Sequence, residues 1–300
     1  MSKIVLQRVS PHSTVQDAGR DDGLKYGVSA SGPMDRPAFY QTVQLLGEGA
    51  PTALEFTMLG LAFSFHGEPA MMAAAGGEFM CTINGIQQSW PLKAQLEDGD
   101  QVDIKTGPSG MYGYVRFDRD IDAPTILGSK ATNLAAQIGG LDGKPLSIGD
   151  VIPLVDGDKI TTDINYGEMP LIEPDADIVL RVLPGLHADL LGKGTWQSLF
   201  QSPFEISAST DRMGVRLNDP DNRFSAIEKL GLVSDAVVPG DIQILGEGTP
   251  VILMRDHQPT GGYPRIATLI DKDLDRAAQL RPNTRIRFQS ISLEKAQQLL

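Results

Sequence analysis

Residues 284–288 read Thr-Arg-Ile-Arg-Phe, a short stretch in which apolar and charged side chains alternate. A period of two is typical of a strand with one buried side and one solvent-facing side. Apolar runs of strand length also occur between turn residues at 54–65, 71–75, 102–105, 113–117, 178–183, 242–245 and 251–254. Many short strands separated by turns favour a mainly β fold of sandwiches or barrels over regular βαβ repeats.

Helices are predicted at three places. Asp35 is an N-cap candidate with Pro37 in the first turn, and Gly47 is a typical helix stop. A second helix is predicted over 273–280, and a third is expected to begin at Ser292. The fold is therefore expected to be mainly β with a few short helices.

Two domains are expected from the length of 300 residues. The stretches around 69–104 and 250–288 share a weak similarity: each has a strand-like run, then a Gly-Gly pair, then a closing strand. This similarity is compatible with two related β-barrels in tandem. We place the junction within the Gly-, Asp- and Pro-rich stretch 118–174 and predict domains at 1–155 and 156–300.

Composition narrows the class of protein. With 26 basic and 38 acidic residues the net charge is −12, which argues against nucleic-acid binding, since that needs clustered Lys and Arg. The single cysteine, Cys81, excludes internal disulfides and fits a reducing compartment. The N-terminus lacks the apolar core of a signal peptide, and no apolar run approaches the roughly 20 residues of a membrane helix. We expect a cytoplasmic protein without a membrane segment.

Several sequence motifs of known function are not matched by this chain. The four histidines are far apart and form no His-x-x-x-His pair, so no metal site is expected. Residues 185–194 superficially resemble a phosphate-binding loop, but the glycine spacing is wrong and Gly194 stands where Ser or Thr would hold magnesium. No Met-Lys-Met-type biotin attachment sequence occurs, so any biotin would be covalently bound to another chain.

Three segments, 13–35, 209–217 and 255–265, are denser in polar groups than turns require. Arg212 and Arg216 could grip a carboxylate bidentately, although they could also serve a turn and a strand end. Glycine at 261–262 lets the backbone approach a ligand closely. The candidate substrate-binding residues are Gln16, Asp17, Arg20, Ser31, Asp35, Gln258, Thr260, Gly261, Gly262 and Tyr263. Taken alone, these residues predict a polar binding cleft in a β-rich protein.

Each candidate also has a structural interpretation. Asp35 could be only a helix cap, and Asp17 with Arg20 could be an internal ion pair that holds the N-terminal loop. His257 is the one histidine within a polar cluster, but a lone histidine is more often structural than catalytic.

The segments together resemble one family, called allophanate hydrolase subunit 2 or KipA-like, which includes the C subunit of 5-oxoprolinase and part of the carboxyltransferase region of urea carboxylase. Its Thr-Val-Gln-Asp-x-Gly-Arg stretch is matched at 14–20, its Gly-Val-x-x-Ser-Gly-x-Met-Asp stretch at 27–35 and its Leu-Glu-x-Thr segment at 54–57. Further matches follow in order at 139–151, 181–185, 212–217 and 258–264. His257 stands where the family usually has arginine.

The resemblance implies two cyclophilin-like β-barrel domains. It also implies a KipI-like partner, allophanate hydrolase subunit 1, together with a third subunit in a complex that opens the lactam of 5-oxoproline to glutamate with consumption of ATP. Arg212, Arg216 and His257 are then the expected catalytic residues. Asp17 and Arg20 would frame the cleft, and the 258–263 segment would orient the lactam.

Two alternatives share the same fold and the same polar segments. The first is a carboxyltransferase component of a urea-carboxylase-like biotin enzyme, in which the biotin is bound to another chain. The second is a non-catalytic, KipA-like antagonist of a KipI-like kinase inhibitor.

Overall fold

Short strands dominate the residues that the structure, a computed structural model, describes: 2–162, 177–225 and 232–299. The prediction of a mainly β fold is confirmed. The chain divides into unit 1, Met1–Tyr26 with Ala30–Glu168, and unit 2, Gly27–Ser29 with Met169–Leu300. The division after residue 168 lies outside the described residues, and the domain boundary at 155 stays a prediction.

Unit 1 contains two antiparallel sheets. The strands are β1 Ser2–Val9, β2 Thr14–Gln16, β3 Ala53–Thr57, β4 Leu61–His66, β5 Ala70–Gly76, β6 Phe79–Ile83, β7 Ile86–Gln88, β8 Leu92–Leu96, β9 Gln101–Thr106, β10 Tyr112–Phe117, β11 Asp120–Ile121 and β12 Val151–Val155. The strand orders of the two sheets are β11-β12-β1-β4-β9-β6-β7 and β2-β3-β10-β5-β8. Their apolar side chains form one core, because alternate residues such as Val102 and Ile104 of β9 point inward.

The apolar run predicted as one strand at 54–65 forms two strands, β3 and β4. A turn separates them, and Gly60 adopts a φ of +81° there. An added Cβ at Gly60 would lie 2.0 Å from the carbonyl oxygen of Ile104, so only glycine fits this close approach. The turn is a correction to the predicted strand, and its cause is this backbone contact.

Helix α1, Arg36–Leu46, begins and ends as predicted. The carboxylate of Asp35 accepts a hydrogen bond of 3.0 Å from the backbone N–H of Ala38, and Gly47 closes the helix with a φ of +89°. The buried side of α1 packs against β5 and β10. The cap therefore fixes the end of the 31–35 loop on the sheet.

Unit 2 contains a closed barrel and a two-stranded ribbon. The strands are β13 Ile178–Pro184, β14 Phe204–Thr210, β15 Gly214–Asn218, β16 Asp235–Ala236, β17 Asp241–Ile244, β18 Pro250–Leu253, β19 Thr260–Gly261, β20 Arg265–Leu269 and β21 Arg285–Ser290. The strand order of the barrel is β13-β20-β17-β18-β15-β14-β21, and β16 and β19 form the ribbon. In β21, Ile286 and Phe288 are buried while Arg285 is exposed, as the alternation at 284–288 predicts.

The helices of unit 2 are α2 Ala188–Ser198, α3 Asp271–Ala278 and α4 Leu293–Gln297. Helix α3 begins two residues before the predicted start, and Ser292 caps α4 as predicted. Helix α2 was not predicted from the sequence, because glycine has a low helix propensity. In the structure, Gly192 adopts non-helical backbone angles inside α2. No helix within the described ranges has the length and apolar character needed to cross a bilayer.

Candidate functional site

Asp17 is an anchor for a distant loop of unit 1. Its carboxylate accepts hydrogen bonds from the Ser129 hydroxyl at 2.6 Å, from the Lys130 backbone N–H at 2.6 Å and from the Gly19 backbone N–H at 2.9 Å. A carboxylate with three donors from two loops holds those loops together. Asp17 therefore fastens the segment 129–130 to the N-terminal loop.

Arg20 and Gln16 hold the same distant loop. The buried guanidinium of Arg20 donates to the carbonyl oxygens of Ile126 and Ala131, and Gln16 donates to the carbonyl oxygen of Thr132 at 3.1 Å. Asp17 and Arg20 therefore both bind the 126–132 segment, and their role in substrate binding stays a prediction. Both residues stabilise the N-terminal loop through this second loop.

Ser31 belongs to a close crossing of two loops in unit 1. Gly19 and Gly32 have φ values of +102° and +81°, and a Cβ on either would lie 2.9 Å from a carbonyl oxygen of the facing loop. Ser31 itself has a φ of +57°, and its hydroxyl accepts a hydrogen bond of 3.0 Å from the amide of Asn133. The crossing thus brings Gln16, Asp17, Arg20 and Ser31 together around the 126–133 segment.

Asp35 joins a buried network that includes Glu55, a residue the predicted site omitted. Its backbone N–H donates to the Tyr114 hydroxyl at 2.9 Å, and this hydroxyl donates to Glu55 at 2.8 Å. Glu55 also accepts from the Met34 backbone N–H at 2.9 Å. Burial raises the pKa of Tyr114, and the nearby Glu55 carboxylate acts in the same direction. The sequence could have indicated Glu55, because it is a glutamate inside the apolar stretch 54–56.

In unit 2, Arg212 is buried against Asp256. Two parallel hydrogen bonds, Nε to Oδ2 at 2.8 Å and Nη2 to Oδ1 at 3.0 Å, join the side chains. Arg216 is exposed on β15. Arg212 thus binds an internal carboxylate, and the clamp of two guanidiniums on one substrate carboxylate stays a prediction.

His257 is buried and bonded within its own turn. Its Nδ1 lies 2.7 Å from the carbonyl oxygen of Gln258, and because a carbonyl only accepts, Nδ1 carries the proton. Burial lowers the pKa of His257 below its ordinary value. This environment favours a structural role over the predicted catalytic role.

Gln258 and Gly261 lie beside Gln243, which the sequence did not single out. The amide of Gln258 donates to Gln243 Oε1 at 3.1 Å, and an added Cβ on Gly261 would lie 2.8 Å from Gln243 Nε2. Thr260, Gly262 and Tyr263 are exposed around them. The 258–263 segment therefore covers the Gln243 amide with a thin layer of backbone.

Arg265 connects this segment to the barrel. It donates from Nη1 to the carbonyl oxygen of Ala236 at 2.7 Å and from Nη2 to Asp235 at 3.1 Å, while Asp241 lies 3.6 Å from Nη1. The His187 Nδ1 accepts from the Arg265 backbone N–H at 3.1 Å. Burial and the Arg265 charge lower the pKa of His187.

One row of paired residues crosses four neighbouring strands of the barrel. Arg216 pairs with Val251, Val251 with Gln243 and Gln243 with Arg265. Directly paired residues present their side chains on the same side of a sheet, and neighbouring strands are about 4.8 Å apart. Arg216 and Gln243 are thus about 10 Å apart along one side of the barrel wall. This row is the candidate functional site of unit 2.

A cavity of about 300 Å³ lies elsewhere in unit 2, beside the turn between β17 and β18. Its lining includes Leu217, the last residue of the predicted segment 209–217, and also Asn218, Asp219, Glu247 and Thr249, which lie outside the predicted segments. In the described ranges, no three His, Cys, Asp or Glu side chains are grouped as a metal site would require.

Comparison with known proteins identifies the relatives of this chain. The family model described as carboxyltransferase domain, subdomain A and B, matches residues 26–290. The C subunit of the Escherichia coli 5-oxoprolinase is 32% identical over 99% of this chain and 93% of its own length. The urea amidolyase of Saccharomyces cerevisiae is 27% identical over 96% of this chain but only 16% of its own length.

Solved structures show the same relationship. The crystal structure of the K. lactis urea amidolyase matches 99% of this chain and 19% of that chain, with a TM-score of 0.88 and 25% identity. The Kluyveromyces lactis urea carboxylase matches 99% of this chain and 28% of that chain, also with a TM-score of 0.88. The resemblance inferred from the sequence is confirmed: the chain belongs to the carboxyltransferase domain family of subdomains A and B.

Proposed function

We propose that this chain is a subunit of an enzyme complex that opens 5-oxoproline to glutamate with consumption of ATP. The observation that carries the proposal is the 32% identity to the C subunit of 5-oxoprolinase, which spans nearly the whole of both chains. In the reaction, water adds to the lactam carbonyl carbon, the carbon–nitrogen bond breaks, and the nitrogen becomes the amino group of glutamate. ATP would activate the unstrained lactam by transferring its γ-phosphoryl group to the amide oxygen with release of ADP, and a second water would then hydrolyse the resulting acyl phosphate to glutamate and phosphate.

Partner subunits are part of the proposal. The relatives in Escherichia coli and Haemophilus influenzae are each one subunit of a 5-oxoprolinase, so those enzymes contain other subunits as well. For this chain we infer a KipI-like partner and a third subunit, and we place the consumption of ATP in the assembled complex. The complex would act in the cytoplasm.

The row of paired residues in unit 2 suits a small anionic amide. Arg216 is an exposed guanidinium, and a guanidinium binds a carboxylate through two parallel hydrogen bonds. The 258–263 segment would hold the amide end, through Gln258, Thr260 and the backbone at Gly261 and Gly262. Arg212 and His257 become positioning residues, because both stabilise the 254–258 turn from buried positions.

Carboxyl transfer to a urea-like amide is the second candidate function. It is favoured by the TM-scores of 0.88 against the urea amidolyase and urea carboxylase structures. In that case a carboxylated biotin on another chain would donate the carboxyl group to the amide nitrogen, and the same carboxylate- and amide-binding groups would be used.

The deciding experiment is reconstitution. The chain is assayed alone and with its KipI-like and third subunits, with and without 5-oxoproline, for ADP and for glutamate. We expect both products only from the complete complex with 5-oxoproline. An assembled complex that forms neither product would overturn the proposal. Carboxylation of urea in the presence of a biotin carrier would then establish the second candidate.

Arg216→Ala tests the carboxylate contact within the active complex. We expect KM for 5-oxoproline to rise at least tenfold, because a charge-assisted contact contributes about 1.5–3 kcal/mol. Lys193→Ala, which removes an exposed cation on α2, is the matched control. An unchanged KM in Arg216→Ala would remove Arg216 from the site.

A further inference from the structure

Two buried donor atoms in unit 2, Gln243 Nε2 and Arg265 Nε, have no hydrogen-bond partner among the described residues. Gln243 is 1% exposed and Arg265 is 7% exposed. A buried donor without a partner loses its hydration without compensation, so such atoms are rare and usually mark a bound water or ligand. Two unpartnered donors on paired residues therefore indicate a bound hydrogen-bond acceptor.

The two donors belong to neighbouring strands. Gln243 of β17 and Arg265 of β20 are paired residues, so their side chains start from the same side of the barrel wall. Their other polar atoms are already bonded: Gln243 Oε1 accepts from Gln258, and the two terminal nitrogens of Arg265 donate to Ala236 and Asp235. These bonds fix both side chains, and the two unpartnered donors are therefore held in place before any ligand arrives.

Gly261 lies directly over the Gln243 amide. Its φ lies outside the left-handed region, so backbone conformation does not require glycine here. The limited space requires glycine at this position, because an added Cβ would lie 2.8 Å from Gln243 Nε2 and 3.4 Å from Gln258 Nε2. Thr260 and Gly262 on either side are exposed, which puts the donors one layer of backbone below the surface.

The surrounding charge selects the kind of acceptor. Two carboxylates, Asp235 and Asp241, lie within 3.6 Å of the single guanidinium of Arg265. His187 adds no charge in this arrangement, because its Nδ1 accepts a hydrogen bond from the Arg265 backbone. The cluster is therefore net negative by one charge, which disfavours an anion and favours a neutral oxygen.

We propose that Gln243 Nε2 and Arg265 Nε bind the carbonyl oxygen of a small neutral amide group beneath Gly261. The identification of that group with the lactam of 5-oxoproline rests on the proposed function. The carboxylate of that substrate would lie toward Arg216, about 10 Å along the same row of the barrel wall. Donors fixed in advance need no reorganisation when the carbonyl oxygen binds.

The test uses the full chain labelled with ¹⁵N and follows the side-chain amide of Gln243 and the Nε–H of Arg265 by NMR. The probes are 2-pyrrolidone, a neutral lactam, and acetate, an anion. We expect 2-pyrrolidone to shift both signals saturably and acetate to leave them in place. No saturable shift with 2-pyrrolidone means that water alone occupies the position, which overturns the proposal. An equal response to acetate overturns the assignment to a neutral amide.

Two variants sharpen the test. Gln243→Glu keeps an acceptor for Gln258 but removes the donor, and we expect 2-pyrrolidone to bind about three- to tenfold more weakly. Gly261→Ala puts a methyl group against Gln243 Nε2 and is expected to weaken binding at least as much. Gly194→Ala adds the same methyl group in open space and is the matched control. Equal binding by wild type and Gly261→Ala would overturn the position beneath Gly261.

Turnover by the reconstituted complex separates this inference from the proposed function. A complex with Gln243→Glu that forms glutamate with the wild-type KM would overturn the amide site and leave the proposed function standing. If 2-pyrrolidone shifts the signals of Gln243 and Arg265 saturably but the complex forms no glutamate, the amide site stands and the proposed function is overturned.

Discussion

Arg212 and Asp256 form a bidentate ion pair in which both side chains are at most 2% exposed. The two residues are 44 positions apart in the sequence, and the pair ties the start of β15 to the turn that follows β18. A buried charge that loses its partner remains desolvated. Removing one partner therefore lowers the free energy of unfolding by more than the intact pair contributes to it.

Arg212→Met is therefore expected to destabilise the protein by about 3–5 kcal/mol, because it leaves the Asp256 carboxylate buried without its partner. The double variant Arg212→Met/Asp256→Leu is expected to lose less than either single variant, since no charge stays buried. Denaturant unfolding of the three variants measures both effects. Arg216→Met, at an exposed position, should change the free energy of unfolding by no more than about 0.5 kcal/mol. Additive losses in the double variant would contradict the buried-pair account.

The Tyr114 hydroxyl joins Glu55 to the start of α1 through two hydrogen bonds. Tyr114→Phe removes both bonds while keeping the ring, and we expect a loss of about 1–3 kcal/mol in the free energy of unfolding. Tyr26→Phe is the matched control because Tyr26 is 62% exposed. Equal unfolding midpoints for the two variants would show that the hydroxyl network does not stabilise unit 1.

Much of the fold could be predicted because local signals carry it. The caps at Asp35 and Ser292 and the alternation in β21 each depend on neighbouring residues alone. Helix α2 could not be predicted, because Gly192 and Gly194 remove its helical signal and packing against β20 supports it instead. The turn at Gly60 also depends on a distant contact, the carbonyl of Ile104.

The site was predictable in its segments but not in its contacts. Asp17 was singled out as a candidate substrate-binding residue, and that role stays a prediction, but its partners Ser129 and Lys130 are more than 110 residues away, and no local pattern pairs them. Gln243 was missed because it stands inside an apolar strand. A lone amide in such a strand was nonetheless a readable signal, since a buried amide needs partners.

The loop crossing in unit 1 requires glycine at position 19. Gly19→Ala combines the left-handed φ of +102° with a Cβ only 2.9 Å from the Ala30 carbonyl oxygen. Gly85→Ala has a similar φ sign but open space around the new methyl group, so it isolates the conformational cost of about 1–2 kcal/mol. We expect a clearly larger loss for Gly19→Ala in thermal or denaturant unfolding. Equal losses in the free energy of unfolding for the two variants would show that the crossing loops can move apart to accommodate the methyl group.

Cys81 is expected to be unreactive in the native protein. Its side chain is fully buried, and burial raises its pKa to about 12, so the nucleophilic thiolate is scarcely populated at pH 8. A maleimide reagent at pH 8 should therefore label the protein only as fast as unit 1 opens, and label it rapidly in denaturant. Rapid labelling without denaturant would contradict the burial of β6.

Acid is expected to destabilise unit 2 through His257. Burial lowers its pKa in the folded state, so between that value and the ordinary value of about 6.5 the unfolded chain binds more protons. The stability contribution is therefore complete above about pH 6.5 and is lost as the pH falls toward the folded-state pKa. His187, whose pKa burial and Arg265 also lower, adds a contribution of the same sign.

His257→Gln should flatten this pH dependence, because glutamine does not titrate, and His187→Gln/His257→Gln should flatten it further. The measurement is the free energy of unfolding of each protein from about pH 7.5 to about pH 5, on either side of the ordinary histidine pKa. Wild type should lose the most stability over that range and the double variant the least. Parallel curves for all three proteins would mean that both histidines take up protons in the folded chain as readily as in the unfolded chain, and that burial holds neither of them neutral.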